Sequence, residues 1–293
     1  MARRFKRTER RGVHFTKRDR AIVEAVFYAR YLTNKQIARL FFEDKVSSSC
    51  KYRIRCLYDR KYLSKRDVYP NEPDIYYLGL RGRHYIAKAL DGCSQEEVDR
   101  IAGVGGEGEA PVLMMKHDLT LSGLYVNAVM QCRQHGWVLE WQNARMLELK
   151  RLGVQPDAHF RVTGDNLDKR TFIEFTSVLP THTEMRQKLE GYRALLESLD
   201  GVPILWFTTS KSKLEQLARW INEWIYHDWI LLGLIEDDGE FLTQKMWRWS
   251  EKKELVQFIR PCETILYGRE IGCPRPPSGV RTAVARLNCE REL

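Results

Sequence analysis

The stretch from Pro156 to Lys188 restricts the fold more than any other part of the chain. Pro156-Asp157-Ala158-His159-Phe160-Arg161-Val162 alternates apolar and polar residues with the period of two that a half-buried strand requires. A polar turn, Gly164-Asp165-Asn166, interrupts the run, and Arg170 to Thr176 is a further strand, so a hairpin is expected. From Thr181 the period lengthens. Met185, Leu189, Tyr192, Leu196 and Leu199 share one face of a helix that also carries Lys188. Two short strands each present one carboxylate, Asp157 and Glu174, and a helix with a basic residue, Lys188, follows. Such an arrangement suits a divalent metal held against a phosphodiester.

Around this stretch the element order can be read from periodicity. Leu121, Leu124, Tyr125, Ala128, Val129 and Cys132 form a helical stripe that begins near His117 and ends at His135-Gly136. Trp137 to Trp141 reads as a strand, Val202 to Phe207 as an almost wholly apolar strand of a sheet interior, and Lys211 to Tyr226 as a helix. Several residues have two readings. Asp118 is a third acid or the N-cap of the first helix. Asp157 is a metal ligand or a turn residue after proline. Lys188 reaches back to the carboxylates or forms an i, i+4 pair with Glu184. His159 and Arg161 touch phosphate or pair with acids. Tyr192 sits on the inward stripe, which favours a core residue over a nucleophile.

Charge divides the chain. Residues 1–66 hold 20 Lys and Arg against 6 Asp and Glu, a net +14, whereas the whole chain is +9 and the remainder therefore −5. A basic first quarter favours a polyanion partner, nucleic acid before membrane surface, over a merely solvated tail. Residues 1–15 read as a basic arm. Thr16 with Asp19, and Thr33 with Gln36, are signals of helix N-termini, and Ser47-Ser48-Ser49 cap a third helix from Cys50 to Tyr62. Two short strands separated by Pro70-Asn71-Glu72-Pro73 follow, and a further helix opens after Gly79. Three helices and a two-stranded wing resemble a winged helix, in which the third helix enters the major groove and the wing touches the backbone. The expected DNA face is Ser48, Ser49, Lys51, Tyr52, Arg53 and Arg55, with Lys65, Arg66, Arg81 and Arg83 on the wing.

Residues 91–116 are acidic and glycine-rich, and read as a flexible linker between a winged-helix domain over 16–90 and an α/β domain over 117–260. Without Gly-Lys-Ser/Thr, these glycines are no phosphate loop. Residues 261–293 read as a loosely ordered tail. The seven cysteines are scattered and lack metal-site spacing, so free thiols in a reducing cytosol are expected. No apolar run is long enough for a bilayer. The C-terminal tryptophans are expected in the core.

The order of one helix, three strands, helix, strand and helix resembles restriction-endonuclease-like nucleases, whose signature is Pro-Asp followed by acid-x-Lys on the next strand. Here Pro156-Asp157 and Glu174-Phe175-Thr176 match, except that Thr176 occupies the lysine position. Finer motifs narrow the likeness: Leu32-Thr33-x-x-Gln36-Ile37-Ala38-x-Leu40-Phe41, Tyr76-x-Leu78-Gly79-x-x-Gly82, His117-Asp118-Leu119, Pro156-Asp157 and Lys188-Leu189-x-x-Tyr192. Together, over about residues 17–228, these resemble the replication-relaxation family, encoded mainly on plasmids and other mobile elements and including mobilisation relaxases of one plasmid class. The resemblance implies an α/β chain with a winged helix before a PD-(D/E)xK-type domain. It implies cytoplasmic binding of double-stranded DNA and metal-dependent nicking or relaxation, with Asp157 and Glu174 as ligands of Mg²⁺ or Mn²⁺ and Lys188 as the catalytic cation. A homodimer and DNA-transfer or replication proteins are further partners left open. The alternative is a non-catalytic, sequence-specific regulator on a decayed nuclease scaffold.

Overall fold

The structure, a computed structural model, describes residues 14–66, 73–90, 93–103, 112–147, 149, 153–198, 202–235, 241–243, 245–248 and 254–259. The basic arm, apart from 14 and 15, and the C-terminal tail lie outside these residues. The chain is mixed α/β.

Local capping starts each of the first three helices. Helix α1 (Lys17–Ala29) begins at Thr16, whose hydroxyl accepts the Asp19 amide while the Asp19 carboxylate accepts the Thr16 amide. Helix α2 (Asn34–Phe41) repeats the device with Thr33 and Gln36. Helix α3 (Ser48–Asp59) is capped by Ser47. Strand β1 (Leu32–Thr33) and strand β2 (Leu63–Arg66) both pair antiparallel with β3 (Ile75–Leu78), giving the sheet order β1-β3-β2. Helix α4 (Leu80–Ala89) starts at Gly79 without a side-chain cap. The two glycines after β3 answer to close approach. A Cβ on Gly79 would lie 2.3 Å from the Lys61 carbonyl oxygen, and one on Gly82 would lie 2.2 Å from that of Tyr62. Both carbonyls instead accept backbone amides, from Arg81 and Gly79 respectively.

Helix α5 (Gln95–Ala102), capped by Ser94, occupies part of the segment 91–116 expected as a linker, and α6 (Val112–His135) begins within that segment. Val98 and Ile101 bury one face of α5, and Arg83 pairs with its Asp99 at 2.6 Å. The early start of α6 places Asp118 inside the helix. It is therefore not an N-cap, and its carboxylate pairs with Arg30 at 2.9 Å.

The second sheet has seven strands in the order β10-β9-β8-β7-β6-β5-β4. Strand β4 (Val138–Asn143), β5 (Ala158–Gly164) and β6 (Leu167–Thr176) are antiparallel neighbours. Gly164 pairs with Leu167, so Asp165-Asn166 form a two-residue hairpin turn. Helix α7 (His182–Ser198) then leads to β7 (Ile204–Thr208), parallel to β6, and α8 (Lys211–Asn222) leads to β8 (Ile230–Leu234), parallel to β7. Strands β9 (Lys245–Arg248) and β10 (Glu254–Gln257) close the edge. Strand β7 is buried throughout, because helices cover both faces. Ile204 and Trp206 pack with α7 and α8, while Leu205 and Phe207 join the core on the α6 side.

That second core continues without a break into the N-terminal helices. The junction is polar as well as apolar. Asn143 of β4 donates to the Tyr28 carbonyl, Ser122 of α6 to that of Ala29, and Arg133 of α6 to that of Leu40. These acceptors belong to the last turns of α1 and α2, which helix geometry leaves without internal donors. Among the described residues no helix is long and apolar enough to cross a membrane, and Cys50, Cys56, Cys93 and Cys132 are free thiols.

Asp19 has almost no exposed surface and joins two elements at once, since Arg53 of α3 also binds its carboxylate. Replacing it with alanine leaves a guanidinium without its acid and α1 without half of its cap. Asp19→Ala is expected to cost about 3 kcal/mol, read as a lower urea midpoint with an unchanged slope.

Candidate functional site

Strands β5 and β6 bring the two sequence-predicted acids to one end of their shared ladder. Asp157 precedes β5 by one residue, its amide donating to the Ile173 carbonyl and its Oδ2 accepting the Phe175 amide at 2.8 Å. Phe175 immediately follows Glu174, so the acids lie beside each other across the strand pair. Glu174 has no exposed surface. Lys188, projecting from α7, bonds its Oε2, and the Tyr192 hydroxyl one turn further on donates to its Oε1. Of the two readings of Lys188, the structure carries the one that reaches back. Glu184 instead caps Thr181, so the i, i+4 pair does not form.

His117 completes the group from α6. Its Nε2 lies 3.3 Å from Asp157 Oδ2 and 3.2 Å from the Phe175 carbonyl, and its Nδ1 is 3.9 Å from Asp118. Arg30 holds Asp118 from the far side. A line of charges thus runs from α1 to the acid at the head of β5.

These neighbours set the charge states. Burial opposes ionisation of Asp157, but the hydrogen bond and charge of His117, the Lys188 charge and the Phe175 amide hold its carboxyl below the usual range. Burial likewise opposes a proton on His117, yet Asp118 and Asp157 push it up from 6.5 to about 10. For Glu174 burial wins and pushes the carboxyl up from 4.5 to about 7, against the pull of Lys188. Lys188 is raised in spite of burial by Glu174 and Asp157, and Tyr192 is raised by burial and by the Glu174 charge.

As donors for a divalent cation, the two carboxylates and the Phe175 carbonyl are of the right kind, hard oxygens from adjacent strands. Each carboxylate, however, already faces a protein cation: Asp157 faces His117, and Glu174 bonds Lys188. Among the described residues no group of three or more His, Cys, Asp and Glu side chains forms a metal cluster. Thr176 uses its hydroxyl to accept the Trp206 indole N–H at 2.9 Å.

The remaining sequence-predicted residues divide. Ser48, Ser49, Lys51 and Tyr52 lie exposed on the first turn of α3, and Arg81 is exposed at the start of α4. Arg53 turns inward to Asp19 and the His14 carbonyl. Arg55 pairs with Asp59 at 3.0 Å, Lys65 with Asp74 at 2.8 Å and Arg83 with Asp99. Arg66 is half-buried on β2. Arg161 pairs with Asp168 across the hairpin, and His159 contacts Gln142 while burial and two arginines bring its pKa down to about 4. Tyr192 and Trp224 are core residues; Trp229 is partly exposed. His117 is the site residue that the sequence reading did not assign a role, although its motif had singled it out.

A profile of the family described as replication-relaxation matches residues 24–201, more than half of the chain. No curated protein and no solved structure matches it.

The raised pKa values of His117 and Glu174 have the same sign for stability. Each group binds a proton more tightly folded than unfolded. The contribution of His117 is complete below about 6.5 and is lost as pH rises through about 10, and that of Glu174 is complete below about 4.5 and lost through about 7. Asp157→Asn removes one of the two acids that hold the His117 proton. In this variant the imidazole signals of His117, followed by NMR, are expected to titrate at distinctly lower pH than in the wild type, and the loss of thermal stability above about pH 8 is expected to flatten.

Proposed function

Because the chain belongs to the replication-relaxation family, we propose that it acts on the DNA of a mobile element during replication or mobilisation, binding duplex through a winged helix and nicking it at a nuclease-like site. The family membership supports a role in replication or mobilisation. The site reading rests on one observation above all: Lys188 meets Glu174 beside Asp157, so an acid, acid and lysine set is assembled although Thr176 stands at the usual lysine position. The element order around it, with α6 before β4-β5-β6-α7-β7-α8, is the order of a restriction-endonuclease-like domain.

In this reading Asp157 and Glu174 hold Mg²⁺ or Mn²⁺. A cation bound there supplies polarisation of the phosphate and a lowered pKa for the attacking water. The chain's own residues prepare the place. The Phe175 amide and His117 keep Asp157 ionised and fixed in direction. Lys188 brings positive charge to the acids, as a lysine on β6 would. Tyr192 orients Glu174 from within the core and is no nucleophile, since its hydroxyl is buried and donates to that carboxylate. On the DNA side, Ser48, Ser49, Lys51 and Tyr52 present small hydroxyls, a cation and an aromatic ring at a helix N-terminus, a place suited to phosphate contact. A protein acting on plasmid DNA in this way would work in the cytoplasm.

One observation favours a second reading. Glu174 is wholly buried and both of its oxygens already have partners. A carboxylate so engaged also suits a non-catalytic, sequence-specific DNA-binding regulator in which the acids have become structural.

Nicking separates the two. Purified protein is incubated with supercoiled plasmid carrying its own element, with Mg²⁺ or Mn²⁺ and with EDTA. Metal-dependent open circles that fall at least about 100-fold in Asp157→Ala and Glu174→Ala carry the enzyme. Intact duplex binding without nicking in any metal carries the regulator. A second prediction concerns the DNA face. Lys51→Ala is expected to weaken duplex binding and to reduce the slope of log affinity against log salt by about 1, whereas Arg53→Ala acts chiefly on stability through Asp19. A Lys51→Ala slope equal to that of the wild type moves the phosphate contact off α3.

A further inference from the structure

Between α3 and the β2-β3 pair lies a cleft of about 360 Å³, within the range of roughly 300–1,000 Å³ typical of small-ligand sites. Its walls combine three chemistries. Tyr52, Tyr58 and Tyr76 line it, and Tyr52 is half exposed. Lys51, Arg55 and Lys65 add positive charge, with Arg55 over the Tyr58 ring at 5.5 Å. One accessible acceptor completes it: Asp74, more than a third exposed, takes the Lys65 ammonium and the Tyr76 hydroxyl and retains further lone pairs.

Asp74 thus presents a carboxylate at the wall of a cavity of ligand size. The complementary molecule is flat, offers N–H groups at its edge and carries negative charge on its other side. We propose that the cleft receives a single unstacked nucleotide whose base bears an amino group, stacked on Tyr52, with its amino N–H on Asp74 and its phosphates on Lys51 and Arg55. The inference rests on the reading that this face meets DNA, and it names the form: an unpaired base rather than a stacked duplex. A base within a duplex shows its edge to the groove, not its faces, and cannot enter a cleft walled by tyrosine rings. Stacking on aromatic side chains is the common means of holding unpaired strands. The Asp74 acceptor adds a preference. Cytosine presents its N4 amino group to a carboxylate or amide oxygen, while thymine has no amino group.

The full chain is tested by fluorescence anisotropy against labelled oligo-dC, oligo-dT and a mixed-sequence duplex, with wild type, Tyr52→Ala and Asp74→Ala. Tyr52 is exposed, so its variant is expected to keep the wild-type thermal midpoint. The expected result is tighter binding of oligo-dC than of oligo-dT by about fivefold or more. Tyr52→Ala is expected to weaken oligo-dC binding by about tenfold with a distinctly smaller loss on duplex, and Asp74→Ala to remove the preference for dC over dT. Equal losses on duplex and single strand in Tyr52→Ala, or equal affinity of the wild type for dC and dT, overturn the cleft assignment while leaving duplex recognition in place. Failure to bind any of the three DNAs overturns the DNA-binding reading itself.

Discussion

A carboxylate with no exposed surface, set on an inner strand of a seven-stranded sheet, is the constraint to which the surrounding structure answers. Burying a charge without partners costs many kcal/mol, and in practice the group takes a proton or finds a cation. Glu174 does some of each. Burial pushes its carboxyl up to about 7, and Lys188 and Tyr192 bind its two oxygens. This pairing dictates more than a local contact. Lys188 and Tyr192 are one helical turn apart, so both reach Glu174 only if α7 lies across β6 in one register. Met185, Leu189 and Leu196 then fall into the core beneath it. The apolar stripe and the polar pair specify the same placement of the helix, an agreement between levels that marks a well-determined fold.

The other acid is served from the opposite face of the sheet. His117 lies on α6, Asp118 follows it, and Arg30 closes the line from the end of α1. The same junction supplies Asn143 and Ser122 to the last carbonyls of α1. The N-terminal helices therefore end on groups that belong to the site's own supporting elements. A helix whose terminal carbonyls are capped by a neighbour cannot change its tilt without breaking those bonds. Rotation of the first three helices as a free body about residues 91–116 would also open the apolar core that continues across the junction. The physical consequence is that the α3 surface and the acids are held in a defined relation by packing rather than by a tether.

Much of this was legible in the sequence, wherever the determinant is local. Thr16, Thr33 and Ser47 each sit three residues before the amide they cap, a spacing readable without a structure. The two-residue turn at Asp165-Asn166 and the apolar run of β7 are equally local. What escaped depends on distant partners. The basic character of α3 is plain in its sequence, but nothing in it shows that Arg53 points to Asp19, thirty-four residues earlier, rather than outward. Glu184 and Lys188 have the spacing of a helix pair, and the competition that draws Lys188 to Glu174 and Glu184 to Thr181 is visible only once β6 lies under α7. Asp118 looked like a helix start because the apolar stripe begins beside it, whereas the helix extends back to Val112. In the same way α5 has short, polar and acidic turns that resemble a linker until Val98 and Ile101 find the core.

Thr176 is the residue at which a motif and its physics part. Glu174 and Thr176 face the same side of β6, and a lysine at 176 would bring its ammonium to the acid along the strand. The threonine is held in another contract. Its hydroxyl accepts the indole N–H of Trp206 on the neighbouring strand, and its carbonyl accepts the Thr208 hydroxyl. A lysine there would leave the buried indole N–H without an acceptor, because an ammonium offers only donors. Lys188 meanwhile lies over the Trp206 ring at 5.3 Å, so the tryptophan that excludes a lysine from the strand also receives the one on the helix through its negative π face. Threonine at 176, tryptophan at 206 and lysine at 188 are thus one coupled solution to placing a cation against Glu174.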